Sequence, residues 1–186
     1  MKIPDQTYHF QNSAEWRLWL QENHATQPEA WLVLKRKYAA GPGLLYEEAV
    51  EEALCYGWID GIGKKATSET FYLRFSPRKR RSIWSVSNQK RVERLSAQGK
   101  MTAAGLAAVR EAQENGEWEA AIQREDTSNL PEDLRRALES DAQALANFEK
   151  LPASQKKQLL GWISGARTDK TRQKRIQQTV EMAAKR

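Results

Sequence analysis

The residues best suited to chemistry lie between positions 74 and 94, where eight side chains are basic and only Glu93 is acidic. Guanidinium groups bind phosphate and carboxylate through paired hydrogen bonds, and the free N–H groups at a helix start also attract anions. Serine and asparagine add neutral donors, and a tryptophan offers a surface on which a base can stack. The segment therefore predicts an anion-binding site made of Arg74, Ser76, Arg78, Arg81, Ser82, Trp84, Ser85, Asn88 and Arg91.

Two residues of the preceding segment complete the predicted ligand-binding site. Trp58 and Asp60 lie shortly before the basic segment, and a carboxylate in that position suits a general base. A purely structural interpretation stays open beside this one. In that interpretation Trp58 and Trp84 fill the space between a hairpin and the helices, while Asp60 pairs with Arg74 or Arg78.

Other kinds of site are disfavoured by the residues present. The chain has two histidines, His9 and His24, and neither has acidic neighbours at ligand spacing, which argues against a metal site or a catalytic triad. Cys55 stands at the apolar end of a predicted helix, a position typical of an inert buried thiol. The glycines match neither a phosphate loop nor a dinucleotide fingerprint. We therefore expect no metal and no cofactor.

The composition predicts a globular protein of a reducing compartment. The 186 residues are 40% hydrophobic and 29% charged, which excludes a disordered chain. A single cysteine excludes a disulfide framework, and no apolar run approaches the ~18 residues of a membrane span. Residues 1–6 lack the apolar core of a signal peptide. We expect a cytoplasmic protein that is not inserted in membranes.

Charge alternates along the chain, whose net charge is +6. After the basic segment come residues 111–150, with eleven acidic and four basic side chains, and then a basic tail from Arg167 to Arg186. This layout predicts either a surface that faces a polyanion or charges that pair within the molecule. The acidic 111–150 segment is also a candidate surface for a protein partner.

Local patterns predict the elements that must position these residues. Asn12 or Ser13 caps a first helix, and a second amphipathic helix ends at Gly57. Alternating and β-branched runs predict strands at 31–37, 58–63 and 70–76, the last two forming a hairpin. Helical periodicity predicts later helices at about 86–98, 103–115, 131–139, 141–150, 152–166 and 169–184.

These elements predict an α+β fold dominated by helices. A small antiparallel three-stranded sheet packs on the N-terminal helices, and a helical C-terminal array follows. We expect an α+β domain at 1–116 that carries the basic Arg/Ser/Trp loop, an acidic linker at 117–130, and a helical region at 131–186.

Several longer motifs add a family resemblance. They read Glu52-Ala53-Leu54-Cys55-Tyr56-Gly57-Trp58-Ile59-Asp60-Gly61, Arg74-Phe75-Ser76-Pro77-Arg78, Arg81-Ser82-Ile83-Trp84-Ser85 and, near the C-terminus, Trp162-Ile163 with Ala166-Arg167. In this combination the chain resembles the YdeI/OmpD-associated family of bacterial proteins, whose name also refers to bacteriocin protection. The resemblance supplies no catalytic residues.

Three functions remain open at this stage. The first is binding of a nucleotide, a phosphorylated metabolite or nucleic acid by the basic segment. The second is an enzyme that acts on a phosphorylated or acyl substrate with Asp60 as the base. The third is a stress- or envelope-related interaction module that uses residues 111–150.

Overall fold

The computed structural model of the chain describes residues 6–185, so residues 1–5 and Arg186 of the predicted basic tail lie outside the described range. The strands are β1 (Ala30–Lys35), β2 (Trp58–Lys65) and β3 (Thr70–Pro77). The helices are α1 (Ser13–Asn23), α2 (Tyr46–Cys55), α3 (Val86–Ala97), α4 (Ala103–Glu114), α5 (Glu117–Gln123), α6 (Glu132–Glu139), α7 (Ala142–Glu149), α8 (Ala153–Ser164) and α9 (Asp169–Ala184). This confirms the predicted helix-dominated α+β fold.

The described chain forms two compact units, one ending at Ala121 and the other beginning at Ile122. The N-terminal unit contains the sheet, in the order β1-β3-β2 with both pairings antiparallel. The C-terminal unit is helical, and its core includes Leu134, Phe148 and Ile176. Among residues 6–185, no helix has the length and apolarity that crossing a membrane requires.

The core of the N-terminal unit forms where tryptophans of α1 cover one face of the sheet. The ring of Trp16 lies 5.7 Å from that of Phe75 and 6.2 Å from that of Trp58, centroid to centroid. Such pairs contribute about 0.5–1.5 kcal/mol each beyond their buried area. Phe75 and Leu73 are buried on this face, as the alternation of β3 predicts.

Helix ends follow the predicted local signals. The Asn12 side chain accepts a hydrogen bond from the Glu15 N–H at 3.1 Å, and the Glu15 carboxylate accepts one from the Gln11 N–H. Gly57 follows α2 with φ of +74°, a left-handed conformation that favours glycine.

The acidic stretch expected to be a linker, residues 117–130, begins with helix α5. The ring of Trp118 in this helix lies 5.0 Å from that of Trp84, and the Trp118 carbonyl accepts a hydrogen bond from the Gln89 side chain. The start of the acidic stretch is therefore packed on the N-terminal unit.

Candidate functional site

Both tryptophans of the predicted site are buried. Trp58 is 1% exposed, and its indole N–H donates to the His24 carbonyl at 3.1 Å. Trp84 is 3% exposed and packs against Trp118. Their rings therefore fill space between packed elements, as the structural interpretation of the sequence expected.

Two of the predicted anion-binding arginines form ion pairs within the N-terminal unit. Arg74 donates to Glu29 at 2.7 Å, and this bond holds the pKa of the Glu29 carboxyl below its usual range. Arg91 donates through Nε and Nη2 to Glu47, at 3.1 and 2.7 Å. An arginine whose fork already binds a carboxylate offers little to an external anion, because the bound carboxylate would have to be displaced.

The predicted polar residues of the basic loop mostly organise its backbone. The Ser82 hydroxyl accepts from the Lys79 N–H at 2.8 Å and closes a turn. Ser85 caps α3 by accepting from the Asn88 backbone N–H, while the Asn88 side-chain oxygen Oδ1 accepts from Arg91 Nη1. In these bonds the Ser82 and Ser85 hydroxyls accept from the loop and helix backbone, which fixes the shape of the loop, and the Asn88 side-chain oxygen holds Arg91.

The remaining predicted residues differ in exposure. Arg81 is exposed on the loop, and Ser76 is half-buried opposite Ile59 in the sheet. Asp60 accepts a hydrogen bond from the Tyr46 hydroxyl at 3.1 Å. Arg74, one of its two expected partners, pairs with Glu29 instead. Burial, with a contribution from Asp60, raises the pKa of Tyr46 to about 12, so the phenol stays protonated and able to donate.

Arg78 is the predicted residue whose surroundings best fit a ligand. Its guanidinium stacks on Trp84, 3.6 Å from the ring centroid, and Nη1 donates to the Ile83 carbonyl. Nε and Nη2 form the other edge of the fork; both are shielded from solvent and have no hydrogen-bond partner among residues 6–185. Burial lowers the pKa of Arg78 to about 10, against the opposing effect of Asp60. Arg78 also lines a cleft of about 480 Å³ over the Ala104–Glu114 face of α4.

The acidic 111–150 segment forms several ion pairs inside the C-terminal unit. Asp133 accepts from Arg172 through both carboxylate oxygens, and Glu132 pairs with Arg135 and Arg136. Part of the acidic charge of residues 111–150 is thus neutralised by basic residues within the same unit.

A second group of basic and aromatic residues meets at the opposite end of the sheet. Because β1 and β2 both run antiparallel to the central strand β3, their C-terminal ends flank its first residues. These two ends carry Lys35, Arg36 and Lys37 on one side and Lys64 and Lys65 on the other. Phe71, near the start of β3, pairs with Lys65 in the register and lies between them.

These residues line two adjoining clefts of about 440 and 250 Å³, which share Arg36 and Phe71. We call the pair of clefts the Phe71 groove. Its lining consists of Lys35, Arg36, Lys37, Tyr38, Leu45, Tyr46, Glu47, Gly63, Lys64, Lys65 and Phe71. Five of these side chains are basic, three are aromatic and one is acidic, and the acidic one, Glu47, is already bound by Arg91.

Arg36 and Tyr38 are placed to contact a ligand in this groove. The Arg36 guanidinium lies 5.5 Å from the centroid of the Phe71 ring, and its Nε is shielded and has no hydrogen-bond partner in the described part of the chain. The Tyr38 side chain is 75% exposed, although its hydroxyl is fixed by a 2.7 Å hydrogen bond to the Ser68 carbonyl. The groove thus combines a cation, whose shielded Nε–H has no acceptor among the described residues, with an exposed, oriented ring.

Sequence reasoning missed the Phe71 groove because its residues lie in four separate short parts of the chain. The signal was present as the run Lys35-Arg36-Lys37-Tyr38 and the pair Lys64-Lys65, each at a strand end. No metal cluster of three or more His, Cys, Asp or Glu side chains occurs within residues 6–185.

Comparison with protein families gives two matches along the chain. Residues 8–108, more than half of the chain, match a domain of unknown function, DUF8412. The chain belongs to this family. Residues 127–186 match the family described as Bacteriocin-protection, YdeI or OmpD-Associated, which confirms the predicted resemblance. The motifs of residues 52–85 that suggested the resemblance fall within the DUF8412 match, as do Arg36 and Arg78. Curated proteins and solved structures give no match.

Proposed function

We propose that the N-terminal unit binds an anionic ligand with an aromatic ring, of the nucleotide class, in the Phe71 groove. The observation that carries the proposal is the lining of this groove, in which five Lys and Arg side chains surround three aromatic rings. Cations at this density favour phosphate, and rings beside them favour a base. The larger cleft, about 440 Å³, lies within the usual range for small-molecule sites.

Arg36 gives the proposal its main electrostatic contact. Its Nε–H has no acceptor among the described residues, so a phosphate oxygen would satisfy a buried donor as well as a charge. Tyr38 and Phe71, which both line the larger cleft, supply the aromatic rings.

Isothermal titration with ATP, inorganic triphosphate and adenosine tests the proposal. We expect ATP to bind more tightly than either fragment, because both the cations and the rings contribute. R36Q should weaken ATP binding about tenfold or more, since a hydrogen bond to a charged group contributes about 1.5–3 kcal/mol. R81Q is the matched control, because Arg81 is exposed on the predicted basic loop, away from the groove lining. A loss of affinity in R81Q with none in R36Q would move the site to the loop and refute the groove.

The rings are tested separately from the charges. Y38A removes an exposed ring and should lower ATP affinity by about 1–3 kcal/mol if a base stacks on it. Y38F keeps the ring and removes only the hydroxyl that binds Ser68, so it should retain most of the affinity. Equal losses in Y38A and Y38F would show that the hydroxyl rather than the ring matters.

The basic loop predicted from the sequence also contains one candidate anion-binding residue, Arg78. The shielded Nε and Nη2 of Arg78 have no acceptor within the described range, and Arg78 lines the cleft over α4, which supports a second carboxylate- or phosphate-binding point. R78K keeps the charge and loses the fork, so titration of R78K with inorganic triphosphate separates this point from the groove. No contact favours Asp60 as a general base, and the proposal is confined to binding.

A further inference from the structure

We infer that the occupant of the Phe71 groove is a single strand of nucleic acid several nucleotides long, rather than an isolated nucleotide. The inference rests on the proposed function and adds the length and the strandedness of the ligand.

The cations form two separate groups with Phe71 between them. Lys35, Arg36 and Lys37 follow β1, whereas Lys64 and Lys65 end β2, and strand β3 separates the two groups. Two strand spacings amount to about 10 Å across the sheet. A ligand that carries phosphates at repeated intervals contacts both groups more readily than one with a single phosphate cluster.

The rings likewise exceed what one base requires. Tyr38 and Tyr46 line the cleft on one side of the groove, and Phe71 is shared with the cleft that Lys64 and Lys65 line. Every base of an unpaired strand has a free face for stacking, whereas in a duplex the faces are covered by neighbouring pairs. The combination therefore favours an unpaired strand.

Fluorescence anisotropy with labelled oligothymidylates of one, two, four and eight nucleotides tests the inference. We expect affinity to rise at least tenfold from the mononucleotide to the octamer, and the octamer to bind more tightly than a duplex of the same length. Between 50 and 200 mM salt the octamer should show a slope of log K against log salt of up to about −3.5, from about −0.7 for each of five neutralised phosphates. Octauridylate in parallel distinguishes RNA from DNA as the preferred strand.

K65Q locates the second cation group. Lys65 is exposed, and its replacement should reduce the salt slope by about 0.7 and weaken binding of the octamer by a larger factor than binding of the mononucleotide. K90Q, which replaces an exposed lysine of α3 outside the groove lining, is the control and should leave both unchanged. If the octamer binds no more tightly than the mononucleotide, or less tightly than the duplex, the inference of a single-stranded ligand is refuted, while the proposal of a nucleotide-class ligand stands. Absence of binding by every probe overturns both.

Discussion

Replacing Gly105 by alanine tests whether α4 crosses the end of α2 in backbone contact. A Cβ at Gly105 would lie 2.7 Å from the Cys55 carbonyl carbon and 2.8 Å from the Leu54 carbonyl oxygen. Both are backbone atoms, so neither can rotate away as a side chain would. The same crossing is tied by Thr102, whose hydroxyl donates to the Cys55 carbonyl at 2.6 Å.

The expected effect follows from two opposing contributions. Alanine gains about 1 kcal/mol over glycine in a helix. Against this, forcing a methyl group into a packed contact costs about 1–3 kcal/mol, and displacing the Thr102 cap costs about 1 kcal/mol more. We therefore expect G105A to lower the free energy of unfolding of the N-terminal unit by about 1–3 kcal/mol.

Urea denaturation followed by tryptophan fluorescence measures this loss. Six of the seven tryptophans lie before Ile122, so the signal reports mainly on the N-terminal unit. G161A is the matched control, because a Cβ at Gly161 meets no atom within 4 Å among the described residues. We expect this substitution to stabilise α8 by about 0.5–1 kcal/mol, as measured by far-UV circular dichroism. A G105A protein as stable as the wild type would refute the close approach of α2 and α4.

Two further predictions concern titratable groups. Burial raises the pKa of the Cys55 thiol, so Cys55 should react with a disulfide reagent at pH 8 only slowly in the native protein and rapidly in urea; fast native labelling would contradict its burial. Hydrogen bonds from Arg172 hold the pKa of Asp133 below its usual range, so the stabilisation by this pair is complete above the unfolded-state pKa and is lost as the pH falls through the folded-state pKa. D133N should accordingly be less stable than wild type at pH 7, by about 1 kcal/mol, and the difference should shrink as the pH falls through the folded-state pKa of Asp133, in acid titrations followed by circular dichroism; a difference that persists once the carboxyl is protonated would show that the pair is not its origin.

Most of the fold could be predicted from the sequence because local patterns determine it. The cap at Asn12, the left-handed turn at Gly57 and the alternation of β3 each act within a few residues, and each appears where it was predicted. Helix α5 was missed for a physical reason. It has seven residues and buries only Ala121 fully, so it is too short for an apolar stripe to repeat.

The predicted site depended on contacts that a local pattern does not contain. Arg74 binds Glu29 and Arg91 binds Glu47, and in each pair the partner lies more than forty residues earlier in the chain. A basic segment in the sequence is therefore not by itself a basic surface, since acids from α2 and from the residue just before β1 neutralise much of it.

In the Phe71 groove, by contrast, basic residues that are far apart in the sequence are brought together by the fold. Neither of its basic runs is long, but in an antiparallel sheet with the order β1-β3-β2 the C-terminal ends of β1 and β2 must flank the first residues of β3. Strand order, and not residue composition, is what brings Arg36 and Lys65 to either side of Phe71. In a sheet with the order β1-β2-β3, strand β3 would lie at an edge. Phe71 would then have a neighbouring strand on one side only. The clustering of basic residues around Phe71 is thus determined by topology, which is why it became visible only with the sheet.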